Sequence, residues 1–97
     1  MNAFVIVDIK IRNPGEYSRY IELITPSVAR YGGRYLVRGG KPQTLDGDWI
    51  SERIVIMEYP SRAKAQAWLE DPALIDIHNM RRENSYQCDM LLCDGVE

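Results

Sequence analysis

The middle of the chain contains the stretch Tyr31-Gly32-Gly33-Arg34-Tyr35-Leu36-Val37-Arg38-Gly39-Gly40. It joins the end of an apolar-periodic helix to an extended strand, and glycine suits such junctions because it reaches positive φ without steric cost. Alternation along the strand predicts that Arg34, Leu36 and Arg38 share one face. Tyr35 and Val37 then lie on the other face. An arginine that points toward a core or cavity needs an anionic partner, so this segment is the first candidate for a binding site.

Upstream of this stretch, the sequence predicts a strand and then a helix. The strand covers residues 3–11, where aliphatic side chains occupy alternate positions. The helix has Asn13 as N-cap, Pro14 at its first position and Glu16 placed to reach back as in a capping box. Pro26 lies inside the apolar periodicity of this helix and removes one backbone donor, so it predicts a kink or a break.

Downstream, the sequence predicts two more strands and a second helical region. The predicted elements are a polar connector at 41–48, a strand at Trp49–Tyr59, a helix capped by Ser61, a helical restart at Asp71-Pro72 and a strand at Tyr86–Asp94. The second and third strands form an antiparallel hairpin across the turn-rich connector. The order βαββαβ favours a four-stranded antiparallel sheet with both helices on one side, which is a ferredoxin-like α+β sandwich.

Length and charge narrow the classes of function. The chain has 97 residues, and a chain of this length is expected to form one domain, residues 1–97. Its net charge of −2 supplies no broad basic field for nucleic acid. No apolar run approaches the ~20 residues that cross a bilayer, and the N-terminus lacks the basic region of a secretory signal. We therefore expect a cytoplasmic protein with no nucleic-acid or membrane partner, in which Cys88 and Cys93 are reduced core residues.

The predicted strands carry apolar side chains on both faces. In the first, third and fourth strands, both sets of alternate positions include aliphatic or sulfur-containing residues. Two helices cover only one face of the sheet, and a second apolar face of this size is more than a monomer usually exposes. We therefore predict a homodimer in which two sheets pack face to face and close into an α+β barrel.

Several motifs occur along the chain as a set: residues 31–40, Leu45-Asp46-Gly47-Asp48-Trp49, residues 53–61, Ala65-Gln66-Ala67-Trp68, Asp71-Pro72 and Arg81. With this set the chain resembles the DUF1330 family of the dimeric α+β barrel superfamily. The resemblance implies a single-domain dimer of ferredoxin-like fold with no settled biochemical role. The family usually has a tyrosine where this sequence has Leu74. The resemblance therefore implies that a pocket hydroxyl is missing there, and His78, one turn further along, is expected to replace it in part.

Four arginines are candidates for binding an anion: Arg34, Arg38, Arg53 and Arg81. A guanidinium forms paired hydrogen bonds with a carboxylate or phosphate, which suits recognition of such a group. The alternative pairs these arginines with acidic residues of the chain in structural or intersubunit salt bridges. Arg34 and Arg53 are favoured because each belongs to a family motif on neighbouring hairpin strands.

Aromatic side chains provide the second candidate set, which comprises Tyr17, Tyr20, Tyr31, Tyr35, Trp49 and Trp68. They line a flat pocket between helices and sheet or, alternatively, pack as ordinary core. The predicted ligand-binding residues are Arg34, Arg53, Tyr35, Tyr17, Trp68 and Arg81. The expected ligand is small and either anionic or a carbonyl compound.

His78, the only histidine, is the candidate for catalysis. Its ordinary pKa suits general acid–base chemistry near neutral pH, whereas a structural position on the helix explains it as well. The sequence lacks clustered metal ligands and phosphate-binding glycine motifs, so we expect no metal and no cofactor. Three functions stay open: a dimeric small-molecule-binding protein, a cofactor-free enzyme like the monooxygenases and isomerases on this barrel, and a structural or interaction module.

Overall fold

A computed structural model describes residues 1–96 of the chain. Its elements are β1 (Ala3–Ile11), α1 (Pro14–Arg30), β2 (Arg34–Gly39), β3 (Ile54–Tyr59), α2 (Arg62–Glu70), a 3-10 turn (Pro72–Leu74), α3 (Ile75–Glu83) and β4 (Ser85–Asp94). The strands form one antiparallel sheet in the order β2-β3-β1-β4. The predicted ferredoxin-like α+β fold is confirmed, with the second helical region divided into α2 and α3. Glu97, the last residue of the predicted domain, lies outside the described residues.

The first helix is continuous from Pro14 to Arg30 and does not break at Pro26. Its N-cap residue, Asn13, makes no side-chain capping bond to the helix. The Asn13 amide instead donates to the side chain of Asn84, at 2.9 Å, and so ties the start of α1 to the end of α3. The predicted capping by the Asn13 side chain is therefore replaced by a contact between two helices.

A β-bulge in β2 changes which side chains share a face. The cross-strand partners are Arg34 with Glu58, Tyr35 with Met57, Val37 with Ile56 and Arg38 with Val55. Met57 and Val55 are buried beneath the helices. The bulge therefore turns Tyr35 and Arg38 toward the helices and leaves Arg34 on the opposite side of the sheet. The prediction that Arg34 and Arg38 lie on one face is wrong, because strict alternation stops at the bulge.

The third strand is shorter than predicted, since it begins at Ile54 instead of Trp49. The residues before it form a long connection that is anchored on β1 through side chains. The Trp49 indole donates to Asp8 Oδ2 at 2.9 Å. The Ile9 amide donates to the Arg53 carbonyl at 3.1 Å, so Arg53 is held against β1 immediately before β3 begins.

The core lies between the helices and one face of the sheet. It contains Val5, Val7, Ile9, Tyr17, Tyr20, Ile24, Val28, Val55, Met57, Tyr59, Ala65, Trp68 and Leu74. Cys88 packs at the margin of this core, whereas Cys93 is exposed. The expectation of two core cysteines is therefore wrong for Cys93. Within residues 1–96, no helix is long and apolar enough to cross a membrane.

The opposite, helix-free face of the sheet is largely apolar. It is formed by Phe4, Ile6, Val37, Ile54, Ile56, Leu91 and Cys93, whose partners across the strands place them side by side. Leu91 is 64% exposed. Three further apolar side chains of the connection before β3, Leu45, Trp49 and Ile50, are also exposed. The same register also places Asp8, Arg34 and Glu58 on this face, so it combines an aliphatic surface with charged side chains and has no helix over it.

Candidate ligand-binding site

A small cavity lies between α1 and the sheet. Its lining residues are Val7, Tyr17, Tyr20, Ile21, Ile24, Tyr35, Arg38, Arg53, Val55, Met57 and Arg81. The free space is about 20 Å³, which is roughly enough for one water molecule. Three arginines and three tyrosines line this space, and none of the carboxylates among residues 1–96 does. We call this space the inner cavity.

Helical spacing and the β2 bulge together place the polar groups around the inner cavity. Tyr17, Tyr20 and Ile24 lie on one face of α1 at three- and four-residue steps and are all buried. The rings of Tyr17 and Tyr20 are 5.3 Å apart. The bulge supplies Tyr35 and Arg38 from the other side. The cavity is therefore walled by one helix face and by two residues that regular strand alternation would have separated.

Arg81 is the deepest cation of the site, and its side chain is 3% exposed. One of its terminal nitrogens, Nη1, lies 2.8 Å from Nδ1 of His78 and 3.4 Å from the Tyr20 hydroxyl. Its Nε has no hydrogen-bond partner among the described residues. A buried guanidinium normally pairs with a carboxylate, because removing a charge from water is costly. The hydrogen-bond partners of Arg81 Nη1 are instead neutral groups, the imidazole of His78 and the hydroxyl of Tyr20.

His78 holds Arg81 in place and does not line the inner cavity. Burial, reinforced by the charge of Arg81, lowers the pKa of His78 to about 4. Arginine can only donate, so Nδ1 of His78 is the acceptor and Nε2 carries the proton. That proton points to the Trp68 carbonyl at 3.3 Å. At neutral pH His78 is thus an uncharged imidazole that orients Arg81.

Arg53 faces the inner cavity from the start of β3. Its Nε is buried and has no partner among the described residues. Its guanidinium lies 5.6 Å from the centre of the Tyr17 ring, within the range of a cation–π contact. A Cβ atom added to Gly39 would lie 3.2 Å from Nη1 of Arg53. Gly39, whose φ is +96°, therefore leaves the space that the Arg53 side chain occupies.

Arg38 closes the outer side of the inner cavity. Its guanidinium lies 3.6 Å above the centre of the Tyr35 ring. It also donates to the Thr25 hydroxyl of α1 at 3.2 Å. Arg38 is exposed, so it bridges helix and strand at the mouth of the cavity.

The tyrosines at the cavity are hydrogen-bond donors at neutral pH. Burial raises the pKa of Tyr20 to about 12. Burial also raises the pKa of Tyr17 and that of Tyr35 above the ordinary value of 10.0. These phenols keep their protons over the whole physiological range, and the site therefore combines fixed cations with neutral donors.

The structure brings four of the six predicted ligand-binding residues together: Tyr17, Tyr35, Arg53 and Arg81. Arg34 lies on the helix-free face, where its Nε forms an ion pair with Glu58 at 2.8 Å. Trp68 is fully buried behind the cavity, and its indole donates to the Ser27 hydroxyl at 2.9 Å. Arg38 and Tyr20 are the two polar cavity residues absent from the predicted set. Arg38 was missed because only the β2 bulge directs it inward.

Fold and family agree. The architecture is that of a ferredoxin-like α+β domain. The chain belongs to the DUF1330 family, whose model is described as a domain of unknown function and matches residues 2–96. None of the curated proteins compared with the chain matches it.

Solved structures of similar fold include proteins of unknown function and an enzyme. The chain is similar to the RPA0582 protein of Rhodopseudomonas palustris, at 18% identity and a TM-score of 0.81 over 99% of this chain and 83% of that one. It is also similar to a dimeric ferredoxin-like protein from Jannaschia sp. CCS1, at 10% identity and a TM-score of 0.69 over 98% and 100% of the two chains. A third is SnoaB, a cofactor-independent oxygenase from Streptomyces nogalater, at 14% identity and a TM-score of 0.66 over 99% and 93%. At these identities the similarities establish the fold.

Proposed function

We propose that this chain is a homodimeric binding protein for a small organic anion, which it holds in the inner cavity. The observation that carries the proposal is the pair of unpartnered, buried Nε atoms of Arg53 and Arg81. Both belong to guanidiniums that line one cavity, and the lining contains no carboxylate among residues 1–96. A bound anion would supply the charge and the acceptor atoms that these side chains lack.

The lining favours a carboxylate on an aliphatic body. Arginine recognises the planar carboxylate through paired hydrogen bonds, and phenol groups such as that of Tyr20 donate further bonds to an anion. Aliphatic side chains of Val7, Ile24 and Val55 form the rest of the wall. A few convergent polar groups within an apolar wall are typical of small-molecule sites.

Ligand entry requires movement of Arg38. The inner cavity of about 20 Å³ admits one oxygen-sized group but not a whole carboxylate with its carbon chain. Arg38 is exposed and is held by the Tyr35 ring and one hydrogen bond to Thr25. Surface contacts of this kind are weak, so we infer that Arg38 swings outward when a ligand enters.

A second copy of the chain would cover the helix-free face. That face is aliphatic across three adjacent strands, and burial of such a surface stabilises a dimer. The similar Jannaschia protein is described as dimeric. We also propose a cytoplasmic location, which suits the two free cysteines, Cys88 and Cys93.

The two alternative functions receive less support from the site. A cofactor-free enzyme would need a group that accepts a proton near neutral pH. The tyrosines have raised pKa values, and His78 does not line the inner cavity. A purely structural module would pair such guanidiniums with carboxylates, whereas the buried Nε atoms of Arg53 and Arg81 have no partner among the described residues. The geometry therefore favours binding.

A matched pair of variants tests the proposed function. Arg53→Met removes one cavity cation while keeping an unbranched apolar stem, and Arg34→Met makes the same change on the helix-free face. Isothermal titration with butyrate and benzoate should show roughly tenfold or greater loss of affinity in Arg53→Met and no loss in Arg34→Met. The ligand-free Arg53→Met protein should unfold at the same urea concentration as the parent or higher, because an unpaired charge is gone. Equal affinities in the two variants, or a large loss of stability in ligand-free Arg53→Met, would make Arg53 a structural residue.

A further inference from the structure

We infer that the preferred ligand carries a second anionic group and is a short aliphatic dicarboxylate. This inference rests on the proposed function, since it assigns the ligand class of the same site. One carboxylate lies in the inner cavity. The other stays outside, in an open space at the end of β2 that we call the vestibule.

The vestibule adjoins the inner cavity. It is lined by Ile9, Ile11, Arg38, Gly39, Gly40, Lys41, Glu52 and Arg53. Arg38 and Arg53 line both spaces, so these two guanidiniums form the boundary between them. The vestibule measures about 460 Å³ and is open to solvent, which leaves room for the outer half of a ligand.

The charges around the vestibule favour an anion. Lys41 adds a cation to the two boundary arginines, and the single acidic residue in the lining is Glu52. Glu52 already lies 3.9 Å from Lys10, on the outer side of the sheet. Among residues 1–96, Lys41 has no carboxylate within ion-pairing distance. Cations therefore extend from Arg81 in the interior to Lys41 at the surface, in a protein whose net charge is −2.

The backbone at Lys41 supports a role for its side chain. Its φ is +46°, and it is the one non-glycine residue with positive φ in the described part of the chain. The left-handed region is unfavourable for a residue with a Cβ atom, and glycine adopts it without that cost. Gly39 and Gly40, which precede Lys41, also have positive φ. A third glycine at position 41 would form the same turn without strain, so the turn alone does not require a lysine there. A strained residue beside a cavity indicates a functional constraint, which here is the position of the lysine charge.

Aliphatic side chains between the two groups of cations fit the middle of such a ligand. Ile9 lines the vestibule, and Val7 and Val55 line the inner cavity. These side chains suit methylene groups, whereas a hydroxylated or sugar-like linker would leave its polar groups without partners. Two anionic groups joined by a short methylene chain therefore match the arrangement of the lining.

The test compares dicarboxylates with a monocarboxylate on the full chain. Isothermal titration with succinate, glutarate, adipate and butyrate should show at least one dicarboxylate that binds about tenfold more tightly than butyrate. Lys41→Gln should remove that advantage and weaken the binding of butyrate much less than that of the best dicarboxylate. The control Lys64→Gln removes an exposed lysine of α2, which lines neither space, and should change neither affinity.

The outcomes separate this inference from the proposed function. If butyrate binds as tightly as every dicarboxylate, or if Lys41→Gln weakens both ligand types equally, the site holds a single anionic group. The inference then fails and the proposed function stands. If none of the four acids binds, the proposed function fails and this inference fails with it. Equal binding of inorganic phosphate and the best dicarboxylate would also overturn the inference, because phosphate has no methylene chain.

Discussion

The charged residues on the two faces of the sheet differ in whether they have partners. On the helix-covered face, the Nε atoms of Arg53 and Arg81 are buried and have no hydrogen-bond partner among the described residues. On the helix-free face, Arg34 is paired with Glu58, and Asp8 accepts hydrogen bonds from Trp49 and Ser51. A face whose charges are already paired gains little from a small ion, but its aliphatic surface suits another protein surface. A face with unpaired cations in a small cavity suits an anion.

This difference suggests a separate function for each face of the sheet. The helix-free face is proposed to hold the dimer together, and the helix-covered face is proposed to hold the ligand. The strands are shared, so each residue of β1 or β3 serves one task while its chain neighbour serves the other.

The largest effect is expected from a charge on the helix-free face. Leu91→Asp replaces a 64%-exposed side chain, so the subunit itself should still fold. Two-fold symmetry would bury the new carboxylate twice at the proposed interface, and the dimer dissociation constant should rise by about a hundredfold or more. Sedimentation velocity measures the change.

The matched control for that variant is Leu23→Asp, which alters a 43%-exposed leucine of α1, away from the sheet. It should leave the sedimentation coefficient unchanged. If the parent chain sediments as a folded monomer at micromolar concentration, the proposal that the helix-free face forms a dimer interface is wrong.

The second-largest effect is expected in the pH dependence of stability, through His78, the neutral histidine that contacts Arg81. The pKa of His78 is about 4 in the folded chain and near the ordinary 6.5 when unfolded. The unfolded state therefore binds the proton first as the pH falls, and stability is lost between about pH 6.5 and pH 4. The loss from this residue should reach about 3 kcal/mol at the lower limit. Urea unfolding at pH 7 and at pH 5 measures most of it.

His78→Gln isolates this contribution, since glutamine offers an acceptor to Arg81 but does not titrate. The variant should lose distinctly less stability than the parent between pH 7 and pH 5. The same pH dependence in both proteins would mean that His78 takes up its proton at the same pH in the folded and unfolded states, and the lowered pKa of His78 would be wrong.

The smallest effect tests whether Gly39 positions Arg53. Gly39→Ala places a Cβ 3.2 Å from Arg53 Nη1 at a residue whose φ is +96°. Gly47→Ala is the control, because Gly47 has a φ of +81° and no heavy atom within 4 Å of the added Cβ. Both variants should lose about 1 kcal/mol of unfolding free energy from the backbone alone. Only Gly39→Ala should lose carboxylate affinity, by severalfold. Equal affinities in the two variants would mean that Gly39 does not position Arg53.

Much of the fold could be predicted from local patterns. Alternating aliphatic residues predict β1 and β4, and Ser61 and Asp71 accept the backbone hydrogen bonds expected of caps. The predicted third strand begins too early, at Trp49 instead of Ile54, because Trp49 and Ile50 are residue types that are common in strands. The actual conformation of this segment depends on hydrogen bonds from Trp49 and Ser51 to Asp8, more than forty positions earlier in the chain. A local pattern holds no information about that contact.

The candidate site was predictable in part for the same reason. Arg53 and Arg81 were identified by residue type and motif, and Tyr17 by helical spacing. Arg38 and Arg34 could not be assigned to the correct faces, because the alternation rule assumes a strand without bulges. The β2 bulge depends on pairing with β3, and it decides which arginine reaches the cavity.

The chain contains one tryptophan on each side of this division. Trp68 is fully buried, with its ring 4.6 Å from that of His78 and edge-on to it, whereas Trp49 is 62% exposed beside the helix-free face. Their fluorescence should therefore differ in colour, with blue-shifted emission from Trp68 and red-shifted emission from Trp49. A single emission spectrum would then report separately on the two sides. Subunit contact would shift its red component, and protonation of the neighbouring imidazole would quench its blue component.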